Sequence, residues 1–168
     1  MIPILGFNAG MNVYVGQNIG AGKIDRVRAG VRQTVVVSAA FCIVISLTMF
    51  TLGGQIVRIF GLTGQALALA RQYVRCEAPF FIIFAVYQVA AGMLQGSGDV
   101  TFATCCTVES LILRIAASYL LAYLTPLSHA AIWWAMPIAW IAGLIPAYLR
   151  YHSGAWQTKS VVGPSAKT

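Results

Sequence analysis

Two ionisable side chains, Glu109 and Arg114, lie deep within a long apolar run. Isolated burial of either at the centre of a bilayer costs about 2.5–3.5 kcal/mol on insertion scales, so each must face protein or water. Five residues apart is about 140° of rotation on an ideal helix, so the two do not share a face and no direct pair within the helix is expected. Arg114 reads as a structural group, bonded to neighbouring carbonyls or to a partner outside the chain. Glu109 has two readings. A carboxylate in a low-dielectric site can titrate near neutral pH and so exchange a proton. Its place about a third of the way into the run also fits snorkelling toward the nearer surface.

Amide side chains form a second pattern. Asn8 and Asn12 are four apart and share one helix face. Gln88, Gly92 and Gln95 follow the same kind of spacing in a later run. Lipid does not tolerate such faces, so they either hydrogen-bond to other helices or line a cavity, and the Gln88/Gln95 stripe can line the same cavity as Glu109. Catalytic patterns are missing. His129 and His152 stand alone, and Cys42, Cys76, Cys105 and Cys106 lie in or beside apolar runs without CxxC or Cys/His spacing. No acid/base cluster accompanies them, so neither an enzyme nor a metal site nor a cofactor is expected. The Gly96-Ser97-Gly98-Asp99 stretch lacks the Lys of a phosphate-binding loop and reads as a tight turn.

The elements that must position these residues follow from composition. The sequence is 59% hydrophobic and 9% charged, with a mean hydropathy of +0.78. Soluble domains carry about 25% charged residues, so an ordinary soluble domain is excluded. The net charge of +7 sits between and beyond the apolar runs, which points to anionic lipid headgroups and away from nucleic acid. The start has no basic n-region and no signal-peptide layout.

Five apolar runs of about 2–19, 31–52, 76–94, 101–124 and 130–149 predict an all-α integral membrane protein. Gly53-Gly54 is expected to end the second span. Gly61-Leu62-Thr63-Gly64 reads as a turn, and residues 65–75 as an interfacial helix leading into the third span. Glu77, with Arg75 beside it, is expected at the mouth of that span, with Pro79 in its first turn. Residues 125–129 read as a short turn. Trp133 and Trp134 near one end of the last span, and Tyr148 and Tyr151 near the other, fit interfacial aromatic belts. Pro137 and Pro146 should bend that span. The polar sequence from Arg150 onward is expected to be poorly ordered, and residues 152–168 form a polar tail.

Orientation follows from the basic residues. Lys23, Arg26, Arg28 and Arg32, in the glycine-rich stretch after the first span, keep that loop cytoplasmic. The alternation then puts seven Lys/Arg inside (those four with Arg150, Lys159 and Lys167) against three outside (Arg58, Arg71 and Arg75). Met1 falls on the outer side at the start of a span, so at least one further helix is expected upstream.

These features together resemble one family. Gly16-Gln17-Asn18-Ile19-Gly20-Ala21-Gly22, followed by Arg26 and Arg28, resembles the loop after the second helix of a lobe in multidrug and toxic compound extrusion (MATE) transporters. Leu94-Gln95-Gly96-Ser97-Gly98-Asp99 is similar to the family's Gly-rich turn. Arg114 falls where the next helix often has an Arg. Residues 132–137 and 151–156 resemble the last helix and its exit. The resemblance covers nearly the whole chain and implies most of the second six-helix lobe of a twelve-helix transporter, carried by residues 1–151. It implies export of organic cations or other amphipathic compounds by proton or sodium antiport through alternating access. Asn8, Asn12, Gln88, Glu109 and Arg114 are then the cavity or coupling candidates. The implied partners are a drug-like substrate, the coupling ion, membrane lipids and an N-terminal lobe, and the implied place is the inner (plasma) membrane. One departure stands out: the Asp that some sodium-coupled members carry in the third span falls on Phe84, which cannot ligate a cation.

Two other readings compete with a transporter fragment. A lipid-linked oligosaccharide flippase shares the architecture, but its cavity would be strongly cationic, and Arg114 is the one deep cation here. The other is a truncated chain with no transport activity of its own.

Overall fold

The computed structural model describes residues 2–126 and 130–159, of which the side chains of 158 and 159 are left aside. His129 lies outside the described residues. Among the described residues six α-helices follow one another: α1 (Ile2–Gly20), α2 (Ile24–Ile59), α3 (Gly64–Glu77), α4 (Phe81–Gly96), α5 (Val100–Leu124) and α6 (Ala130–Ser153). A 3-10 turn at Ala78–Phe80, with Pro79 in it, joins α3 to α4. A second 3-10 turn, Ala155–Lys159, follows α6. Helix α3 falls on the residues read as a separate helix over 65–75, and the other five helices overlap the five apolar runs. Among the described residues four stretches are long and apolar enough to cross a membrane: Ile24–Ile59, Gly64–Gly96, Val100–Leu124 and Ala130–Ser153. The chain is a multi-pass membrane protein. Helix α1 is 19 residues long and is not among the four. Asn8, Asn12, Gln17 and Asn18 dilute its apolar character.

The two glycine-rich turns have the same construction. After α1, the Lys23 N–H donates to the Asn18 carbonyl at 2.8 Å and the Gly22 N–H to that of Ile19 at 2.9 Å. After α4, the Asp99 N–H donates to Leu94 at 3.0 Å and the Gly98 N–H to Gln95 at 3.1 Å. Both are Schellman ends, which need a residue in the left-handed region. Gly22 (φ 69°) and Gly98 (φ 87°) supply it.

Helix α4 is the centre of the bundle. It packs against α1, α2 and α6, with a lighter contact to α5, while α5 rests mainly on α6. Small residues allow the closest approach. A Cβ built on Gly92 would lie 2.4 Å from the Asn8 carbonyl oxygen, and one on Gly96 2.3 Å from that of Asn12. Met11, Val15, Val89 and Met93 fill the space around this crossing. On α6, Ala139 accepts a 2.7 Å hydrogen bond from the buried Ser110 hydroxyl of α5. The outer faces of α2 and α5 carry exposed Val36, Val44, Leu47, Val108, Ile112 and Ile115. Such faces suit lipid or another bundle rather than water.

Several boundaries differ from the sequence reading. Gly53 and Gly54 do not end the second span; α2 runs on to Ile59. The two glycines instead make room for α3, since a Cβ on Gly53 would meet Val74 at 2.7 Å and one on Gly54 would meet Arg71 at 2.8 Å. The basic cluster is mostly helix rather than loop: α2 begins at Ile24, so Arg26, Arg28 and Arg32 lie in its first turns. The sequence after Arg150 is packed as far as Trp156, which is 1% exposed and stacks on Tyr151 with ring centroids 6.1 Å apart.

Candidate functional site

The structure sorts the candidate residues into two places. Asn8 and Gln88 come together at the α1–α4 crossing, where the Asn8 amide donates to the Gln88 carbonyl oxygen at 3.0 Å. This is a hydrogen bond between helices. The acceptor is the backbone of Gln88, one helical turn before Gly92, where the two helices come closest. Asn12 lies one turn further along, half-buried beside Gly96.

Glu109 and Arg114 are elsewhere, both on the exposed side of α5. Ala103, Cys106 and Ser110 are the buried residues of α5. Glu109 stands off that face, in a shallow apolar groove with Cys105, Val108 and Ile112. Arg114 occupies a different groove with Tyr73, Ser118, Trp133 and Met136. Its guanidinium donates to the Met136 sulfur at 3.7 Å, a weak acceptor, so most of its donor capacity is unspent. As the helical angle requires, the two side chains do not pair. Phe84 packs on Trp140, ring centroids 4.9 Å apart.

Two acidic residues have roles that sequence reading missed. Asp99 is 5% exposed, and its carboxylate accepts from the Arg150 guanidinium at 2.7 Å. The same guanidinium lies 4.9 Å from the Phe102 ring centre. This pair locks the α4–α5 turn to the end of α6. The signal available was the Asp that closes the Gly-rich motif, followed far along the chain by an Arg at the end of the last apolar run. Glu77 is the other. It was expected at a span mouth beside Arg75, yet Arg75 is exposed and Glu77 is 1% exposed. Neither Glu77 oxygen has a hydrogen-bond partner. Next to it, the Ala78 carbonyl accepts from the Ser46 hydroxyl of α2 at 2.5 Å. That bond holds the α3–α4 junction against α2. Among the described residues no group of three or more His, Cys, Asp or Glu could hold a metal ion.

The sequence profile of the MatE family matches residues 1–120. The chain belongs to the MatE family. A relative described as a probable multidrug resistance protein, YoeA, of Bacillus subtilis (strain 168), is 19% identical over 161 residues. That alignment covers 95% of this chain and 35% of the relative. Two solved structures of a multidrug resistance MATE family transporter of the MOP superfamily share the fold. The inward-facing one matches with a TM-score of 0.82 and 21% identity, over 86% of this chain and 33% of that one. The outward-facing one matches with 0.83 and 21% identity, over 97% and 37%. The chain thus spans about a third of the length of the proteins it matches. None of these matches points to an oligosaccharide flippase.

Proposed function

We propose that this MatE chain works as one lobe of a secondary multidrug exporter in the cell's inner membrane, moving organic cations or other amphipathic compounds against a proton or sodium gradient. The observation that carries the reading is the MatE profile match over residues 1–120. Further support comes from α5. Glu109 and Arg114 are polar groups in a membrane-crossing helix, turned away from their own bundle. Lipid is a costly neighbour for both, so a second lobe or a watered cavity is the environment they suit. Alternating access by two bundles about a central site uses such a surface. The near-equal fit to inward- and outward-facing structures is what a lobe that moves as one body would give. Phe84 removes the third-span carboxylate of the sodium-coupled pattern and so favours protons as the coupling ion.

The test is efflux of a fluorescent cationic dye from cells. The chain joined to an upstream seven-helix half of a MatE transporter is expected to give gradient-dependent efflux, and the chain expressed by itself to stay at the empty-vector level. No efflux from the joined protein would overturn the export reading. Efflux from the chain alone would overturn the need for a second lobe.

A further inference from the structure

The α3–α4 break encloses an acid that the export reading does not use. Glu77 is the last residue of α3, immediately before the 3-10 turn that contains Pro79. Its side chain is among the largest fully buried ones in the protein, and both carboxyl oxygens lack a hydrogen-bond partner. An ionised carboxylate in that setting has neither solvent nor a counter-charge, the most expensive state available to it.

No cation on any neighbouring element reaches it. On α3 itself, Arg71 turns toward Gly54 of α2, and Arg75 is exposed. The other titratable groups of α3 are Tyr73 and Cys76, which add no positive charge. On α2, Arg58 is exposed near the C-terminal end, Cys42 is buried in a separate apolar cluster, and Asp25, Arg26, Arg28 and Arg32 lie at the opposite end. On α6 the titratable groups, Tyr148, Arg150, Tyr151 and His152, are in its last turns, whereas α3 meets α6 at Trp133 near its start. On α4 there is Tyr87, whose hydroxyl is paired with Thr107 of α5. The single ion pair recorded among the described residues is Arg150–Asp99.

We infer that Glu77 is a proton-binding site of this lobe: a neutral carboxyl enclosed where α3 breaks into α4, able to ionise only when that junction opens to water. On opening, the carboxyl O–H bond breaks and the proton passes to the entering water; closure requires the proton back. The Phe80–Trp134 ring pair, centroids 5.8 Å apart, places the junction level with the tryptophans near the start of α6. Water at that end of the bundle is therefore the nearer proton source. The Ser46–Ala78 bond and Pro79 are the features any opening must disturb. The inference stands apart from the export reading, because its readout is protonation rather than transport.

The test uses the whole chain, purified and reconstituted in lipid. The protein has four Asp and Glu residues in all, so infrared bands of protonated carboxyl groups can be assigned by substitution. At neutral pH the wild type is expected to show a protonated carboxyl C=O band. The band should be lost in Glu77→Gln and kept in Glu109→Gln. Glu77→Gln mimics the neutral acid, so it is expected to insert and keep wild-type helix content. A wild-type spectrum without the band, or a band that survives in Glu77→Gln, would overturn the inference. So would Glu77→Gln failing to fold, since a site occupied by the neutral acid must accept its neutral isostere.

Discussion

The α4 crossing and the outer face of α5 are built from similar residue types and serve opposite ends. Both carry polar groups within largely apolar helices. Around α4 two polar groups are turned into the bundle: Asn8 bonds to α4 and Glu77 is sealed at the junction of α3 with α4. On α5, Glu109 and Arg114 face outward, and their bundle gives them little beyond one sulfur contact. The difference teaches that polarity in a span does not by itself mark a functional surface. What separates the two regions is whether a polar group is turned into its own bundle or out of it. By that criterion the α4 side is the frame of the lobe, and the α5 side is the face it presents to something else.

Substitutions can break this contrast, and the largest effect is expected at the crossing. Gly92→Val places a branched side chain against the Asn8 backbone, which cannot swing aside as a side chain would. It should destabilise the lobe by about 3 kcal/mol, near the upper end for overpacking. Cys105→Val on the outer face of α5 should stay within about 0.5 kcal/mol. Unfolding midpoints in detergent compare the two, and equal losses would end the distinction between frame and face.

A smaller loss is expected at the Asp99–Arg150 pair. Asp99→Ala leaves the Arg150 guanidinium without its acceptor and should cost about 2 kcal/mol, typical for a charged hydrogen bond. The partial exposure of Arg150 limits the penalty. A double-mutant cycle with Arg150→Ala checks it: the double mutant should lose little more than Asp99→Ala alone. Additive losses would mean that the pair does not hold the α4–α5 turn to α6.

Glu109→Gln should have the smallest effect on stability, within about 0.5 kcal/mol, because the side chain makes no recorded bond inside the lobe. In the protein joined to its second lobe, the same change should reduce dye efflux. Stability loss comparable to that of Asp99→Ala would move Glu109 into the frame. Unchanged efflux would make it a bystander.

Much of this architecture was legible in the order of residues, because hydropathy and chain punctuation are local properties. Runs of apolar residues mark the helices whatever they pack against. Gly22 and Gly98 mark the turns, since a left-handed residue after a helix favours glycine in any context. Gly53-Gly54 misled for the opposite reason. A glycine inside a helix is a break when it is alone and a packing surface when α3 lies against it, and only the neighbour decides. The same holds for the polar groups. Sequence alone placed Glu109 and Arg114 in a span and off a common face, because the helical angle needs no partner. It could not show that Glu77 turns inward while Arg75 two residues earlier stays out. Nor could it show that Asn8 reaches the backbone of Gln88, or that Asp99 meets an Arg from the end of α6. Each of those outcomes depends on which helix lies opposite, and burial is a property of the pair of surfaces rather than of either residue.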